Sequence, residues 1–234
     1  MFDIVLDGPG TGAENMRRDL ELSEGVRDGR RSPTLRLYTW NPWCVSLGRH
    51  QNDTSIDAEY VRSRGFDIVQ RPTGGRAVLH ANEVTYCVCC PVQDSLEARR
   101  MYATVHGLLY QVLSSLTTDL SFASVDADLR QHYAANGPMG QVCFTSHART
   151  EILWQGRKVV GSAQRVQDGV LLQHGSILCG PGHEQLAECI RTDANLRTSL
   201  KESIARSSAT LSDAAGRTIT QYDVIDAFQA FLPR

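Results

Sequence analysis

The chain has 234 residues, 41% apolar and 21% charged, enough for one well-buried core in a soluble globular protein. Its 24 basic against 26 acidic residues give a formal charge of -2, which disfavours nucleic acid as a partner. No apolar run approaches the ~20 residues of a membrane span, and the opening Met1-Phe2-Asp3-Ile4-Val5-Leu6-Asp7 is too short and too acidic for a secretory signal.

In chain order, 13–26 reads as a helix with Met16, Leu20 and Val26 roughly on one side. Residues 34–40 alternate as a half-buried strand. Asn41-Pro42 marks a turn, and 43–47 is a second apolar run. A short helix is expected over 57–64 and a strand over 67–70, leading into Arg71-Pro72-Thr73-Gly74-Gly75-Arg76-Ala77-Val78-Leu79-His80. Val84–Cys90 reads as a strand. Residues 94–116 form the longest helix, striped by Leu96, Met101, Val105, Leu108, Leu109, Val112 and Leu116. From Glu151 the pattern is a meander: 152–154, a turn at Gln155-Gly156, 158–166, a turn at Gln167-Asp168-Gly169, then 170–178. Short helix signals follow, ending with 222–231. No repeat or long linker divides the chain, so 1–234 is read as a single α+β domain with a mixed, largely antiparallel sheet flanked by helices.

Seven cysteines, at 44, 87, 89, 90, 143, 179 and 189, form no disulfide framework and point to a reducing cytoplasm. Cys87, Cys89 and Cys90 lack a second ligand pair at zinc spacing and are read as buried strand residues, so no metal is expected.

Thr73-Gly74-Gly75 joins two apolar runs. Glycines admit positive φ and close backbone approach, and free N–H groups there bind a carbonyl, carboxylate or phosphate. Arg71 and Arg76 flank the loop with charge. The spacing is neither a Walker loop nor a dinucleotide fingerprint, and a plain hairpin turn satisfies the local pattern equally well. Cys143 follows the loop Asn136-Gly137-Pro138-Met139-Gly140, a position compatible with a reactive thiol. Lys158 lies fifteen residues on, across one hairpin, where an ammonium would favour a thiolate. Its place beside the Gln155-Gly156 turn puts the ammonium near solvent or a polar pocket, so its removal is expected to cost little stability. Gly161, Ser162 and Ala163 leave space beside the strand. His80 and His174 stand at strand ends, as site residues or as satisfied histidines.

Taken in order, these motifs resemble the lipoate-protein ligase and octanoyltransferase family, related in fold to the biotin protein ligases. Asn15-Met16 with Asp19 resembles the family's opening helix, and 35–40 with Ser46-Leu47-Gly48 its first strands. Arg71 to His80 resembles its Arg-x-Thr-Gly-Gly lipoyl-binding loop. Gly156-Arg157-Lys158-Val159-Val160-Gly161-Ser162-Ala163-Gln164 resembles its acyl-site lysine strand, and 173–178 the strand that follows. The likeness to the ligase-like octanoyltransferases is greatest: Cys143-Phe144 and Glu83-Val84-Thr85-Tyr86 are similar to their elements, and the chain stops before the accessory segment expected of a complete ligase. Arg76 stands where many ligases have a third glycine.

The resemblance implies a cytoplasmic acyltransferase without cofactor that takes octanoyl from octanoyl-acyl carrier protein. Cys143 would carry it as a thioester and pass it to a lysine of a lipoyl domain or glycine cleavage H protein. Cys143 and Lys158 are the implied catalytic residues. Arg71, Thr73, Gly74, Gly75, Arg76, Val78, His80, Gly161, Ser162, Ala163 and His174 are the implied acyl-site residues. The rival implications are an ATP-dependent lipoate ligase with a separate accessory chain, an amidotransferase between lipoyl domains, and a non-catalytic lipoyl- or carrier-binding homologue.

Overall fold

The structure is a computed structural model and describes residues 2–123 and 151–231. Strand β1 (Asp3–Gly10) leads into helix α1 (Gly12–Arg27), followed by β2 (Thr34–Trp40) and β3 (Cys44–Leu47). Helix α2 (Ala58–Ser63), β4 (Asp67–Gln70), β5 (Val78–His80) and β6 (Glu83–Pro91) come next, then α3 (Ser95–Leu113) and β7 (Leu120–Phe122). Beyond 150 lie β8 (Ile152–Trp154), β9 (Arg157–Lys158), β10 (Val160–Gln167) and β11 (Val170–Leu178), then a 3-10 turn at His183–Cys189. Helices α4 (Ala194–Ser207), α5 (Leu211–Ala215) and α6 (Gln221–Phe231) complete the described chain.

Local chemistry accounts for the element ends. Thr11 and Glu14 close a capping box at the start of α1, and Asp94 accepts the Leu96 and Glu97 N–H groups at the start of α3. Both hairpin turns of the meander hold two consecutive residues at positive φ, Gln155-Gly156 at 49° and 73° and Asp168-Gly169 at 50° and 74°. That is the backbone of a type I′ turn, whose twist matches the flanking strands.

The main sheet has the order β1-β2-β6-β11-β10; β1 and β2 run parallel, and the other pairs are antiparallel. A second sheet, β4-β3-β5, and a small one, β7-β8-β9, flank it. Alternation along the central strands divides the side chains between two faces. Leu35, Leu37, Val84, Tyr86, Val88, Leu171 and Ile177 join the cluster formed with Val105, Leu109 and Val112 of α3 and Val224 and Phe228 of α6. Tyr38, Trp40, Cys87, Cys89 and Leu172 pack with Met16, Leu22 and Val26 of α1.

Three expectations are corrected. Strand β2 is buried along its whole length rather than half-buried, because Arg36 is neutralised inside the protein. The strand expected over 158–166 breaks at Val159, so Lys158 pairs with Leu153 in the small sheet while Val160 enters the main one. Leu96, placed on the buried stripe of α3, is exposed, and Leu113 takes a buried place that the sequence reading did not give it. Cys87, Cys89 and Cys90 are buried strand residues as expected.

Candidate active site

The glycine loop crosses from β4 to β5 and is held from beneath by Arg71. Its guanidinium donates to the Gly74 carbonyl at 3.0 and 3.2 Å, to the Arg76 carbonyl at 2.7 Å, and to the carbonyl and hydroxyl of Ser46 at 3.0 and 3.1 Å. Arg71 is therefore a buried clamp on the loop backbone, and these contacts turn its charge inward. Gly75 has φ of 94°, which favours glycine. Gly74 is open above: nothing lies within 4 Å of where its Cβ would stand.

Gly48 makes the close approach on the other side, where an added Cβ would run into the Gly75 carbonyl oxygen. Backbone has no rotamer with which to give way. Gly48→Ala is expected to push the loop off its clamp, costing ~1–3 kcal/mol as overpacking does and reducing acyl transfer more than it reduces folding. Paired urea melts and transfer rates check it; wild-type transfer would separate the loop's position from activity.

Two carboxylate–imidazole–hydroxyl chains end beneath the loop. In the first, Asp19 on α1 receives Arg36 Nη1 at 2.6 Å and the Tyr38 hydroxyl at 2.9 Å, and lies 3.2 Å from His174 Nδ1. His174 Nε2 is 2.6 Å from the Thr73 hydroxyl. An acceptor-only carboxylate fixes the proton on Nδ1, so Nε2 accepts from Thr73. In the second, Glu83 Oε1 is 2.8 Å from His80 Nδ1, and His80 Nε2 is 2.7 Å from the Ser46 hydroxyl. The His80 ring stacks on Trp40 with centroids 4.0 Å apart.

Burial pushes the His174 pKa below its ordinary value, against the opposing pull of Asp19, and burial does the same to His183. The unfolded chain therefore takes up protons near pH 6.5 that the folded protein refuses. The stability this contributes is complete above the unfolded value and is lost as pH falls towards the folded ones. Urea midpoints are expected to drop between pH 7.5 and 5.5, less steeply in His174→Gln; identical slopes in the two proteins would exclude His174 as the source.

Gly161 and Ala163 pair with Ser176 and His174 and share the sheet face that meets the loop. Val78 packs on Leu178 and ties β5 to β11. Ser162 faces the other way: one step along a strand reverses the side chain, and its hydroxyl meets Tyr86 at 2.6 Å and His106 at 2.9 Å on the α3 face. Lys158 corrects the reading of its surroundings as surface-like. It is 5% exposed, and its Nζ lies 2.9 Å from Glu151 Oε1, itself buried. Cys143 lies outside the described residues.

Asp19, Ser46, Gly48 and Glu83 position the loop; the sequence shows them within the motifs of the family resemblance but does not single them out as site residues. Asn15 and Asp19 are polar residues on the face of α1 that also carries Met16 and Leu22.

Set beside solved structures, this arrangement is the fold of lipoate-protein ligase catalytic domains. The chain superposes with a TM-score of 0.74 and 20% identity on a lipoate-protein ligase A bound with ATP, covering 97% of this chain and 81% of that one. On the bi-partite lipoate protein ligase of Thermoplasma acidophilum the TM-score is 0.72 at 18% identity, covering 98% and 81%.

Residues 11–232 match the family model of the lipoyl protein ligase A/B catalytic domain, and the chain belongs to that family. It is 37% identical over 231 residues to octanoyltransferase LipM of Kyrpidia tusciae, covering 96% of this chain and 83% of the relative. To the proteins of the same name from Staphylococcus aureus and Clostridioides difficile it is 34% identical, covering 92% and 89% of this chain and 79% and 77% of theirs.

Proposed function

We propose that the protein is an octanoyltransferase of protein lipoylation, acting in the cytoplasm on octanoyl-acyl carrier protein as donor. The acceptor is a lysine of a lipoyl domain or of glycine cleavage H protein. The observation that carries this reading is the 37% identity to a curated octanoyltransferase over 96% of the chain.

The Cys143 thiolate attacks the octanoyl thioester carbonyl, and the tetrahedral intermediate collapses with expulsion of the carrier thiol. The acceptor amine then attacks the enzyme thioester, loses a proton, and leaves as the amide while Cys143 regains its thiolate. Both steps exchange one acyl bond for another, so no nucleotide is consumed. Lys158 orients the acyl carbonyl, and backbone N–H groups of the loop near Gly74 and Gly75 stabilise the oxyanion. Five of the six other cysteines support this assignment of the nucleophile. Burial pushes the thiols of Cys44 and Cys87 well up, and those of Cys90, Cys179 and Cys189 to about 12, where thiolate is scarce at neutral pH.

The test is incubation with octanoyl-acyl carrier protein and an apo lipoyl domain without nucleotide, read by intact mass. A parallel tube holds free octanoate, ATP and magnesium. Acceptor octanoylation in the first tube is expected; modification confined to the second would make the protein a ligase.

A further inference from the structure

Two arginines stand at the rim of the glycine loop, and neither is in an ion pair among the described residues. Arg49, just beyond β3, is exposed, and its backbone is anchored: its N–H donates to the Thr73 carbonyl at 2.8 Å, and its carbonyl accepts from Gln70 at 3.1 Å. Its guanidinium makes no ion pair among the described residues. Arg165 on β10 reaches the adjacent residue of the same loop, donating to the Pro72 carbonyl at 3.4 Å, and it also meets the Gln167 amide oxygen. Both of these acceptors are neutral. Several other surface arginines do sit on carboxylates, among them Arg17–Glu21, Arg18–Asp7, Arg30–Asp28 and Arg206–Glu202. Burial and the charge of Arg49 press the Arg165 pKa down, against the opposing pull of Asp168.

We propose that Arg49 and Arg165 form the docking face for the donor carrier protein, whose contact surface presents carboxylates around its acyl-bearing arm. The proposal rests on the donor half of the function above. An acidic partner approaching a chain of net charge -2 meets average repulsion, and a local cationic patch both steers the encounter and selects its orientation. The patch flanks Pro72 and Thr73, beside the open Gly74, so a carrier seated there delivers its arm directly to the loop. The repulsion between the two guanidiniums in the free protein is relieved when carboxylates arrive.

Arg49 suits a test because its loop contacts run through backbone, and changing the side chain leaves them in place. Wild type, Arg49→Glu, Arg165→Gln and the double variant are assayed with octanoyl-acyl carrier protein and with octanoyl-N-acetylcysteamine, a small neutral thioester. For the double variant, kcat/KM with the carrier is expected to fall about tenfold or more with kcat at saturation retained and the salt dependence flattened, as loss of steering charges produces. The small thioester should turn over as in wild type. Equal losses on both thioesters, no loss on the carrier, or a rise confined to the KM of the acceptor domain would each overturn the docking assignment. Wild type inert towards both thioesters would sink the proposed function with it, whereas active wild type with unaltered variants would sink the docking face alone.

Discussion

Cys143→Ala is expected to retain the fold and lose octanoyl transfer by ~10⁴-fold or more, as removal of a covalent nucleophile does. The loss has two signatures besides rate. Wild type mixed with octanoyl donor and no acceptor should gain one octanoyl group, released by neutral hydroxylamine as thioesters are; Cys143→Ala should gain none. Cys143→Ser offers an oxygen nucleophile and should accumulate a slow, hydroxylamine-resistant ester. Peptide mapping decides the position. An acyl group found on Cys87, Cys89 or Cys90 would move the nucleophile to β6, against the burial of all three residues.

The elements most legible in the sequence are those whose signals are local. Gln155-Gly156 and Asp168-Gly169 mark their turns because positive φ needs particular residues, and Asp94 announces α3 because a helix start needs an acceptor. Strand β1 is different. It contains Asp3, Asp7, Gly8 and Pro9, shows no alternation, and is held by a parallel partner, β2, that lies beyond the whole of α1. The site divides in the same way. Thr73, Gly74 and Gly75 stand out because a glycine pair inside an apolar run demands a reason. Asp19 does not, since its partners Arg36 and His174 become visible only once the strand register is known. Ser162 shows the converse: it lies inside a legible motif, but its neighbours Gly161 and Ala163 face the loop and it faces α3. Val159 hid the burial of Lys158, because a run of β-branched residues reads as one strand and here belongs to two sheets.

That burial alters what loss of Lys158 should do. A lysine beside a turn on the surface would be removable within about 0.5 kcal/mol. Here the ammonium stands 2.9 Å from Glu151, and both side chains are almost withdrawn from solvent. Taking away one member of a buried ion pair weakens the compensation of the other's charge in a medium that solvates it poorly, a loss of ~3–5 kcal/mol for such pairs. Lys158→Met should therefore melt well below wild type. Adding Glu151→Gln removes the opposing charge as well, and the double variant should recover part of that stability, a coupling that adjacent buried charges produce and independent sites do not. Catalysis should not recover with it. If Lys158 polarises the acyl carbonyl, no neutral pair replaces it, and transfer should remain ~100-fold or more below wild type, the usual loss for one electrostatic contact in a closed site. Lys158→Arg should fail to restore the rate, because a planar fork does not fit where a compact ammonium sat. Urea midpoints and single-turnover transfer on all four proteins separate the two roles. A double variant that transfers at the wild-type rate would leave Lys158 a purely structural residue, and a Lys158→Met protein with the wild-type midpoint would show that the pair contributes nothing to the fold.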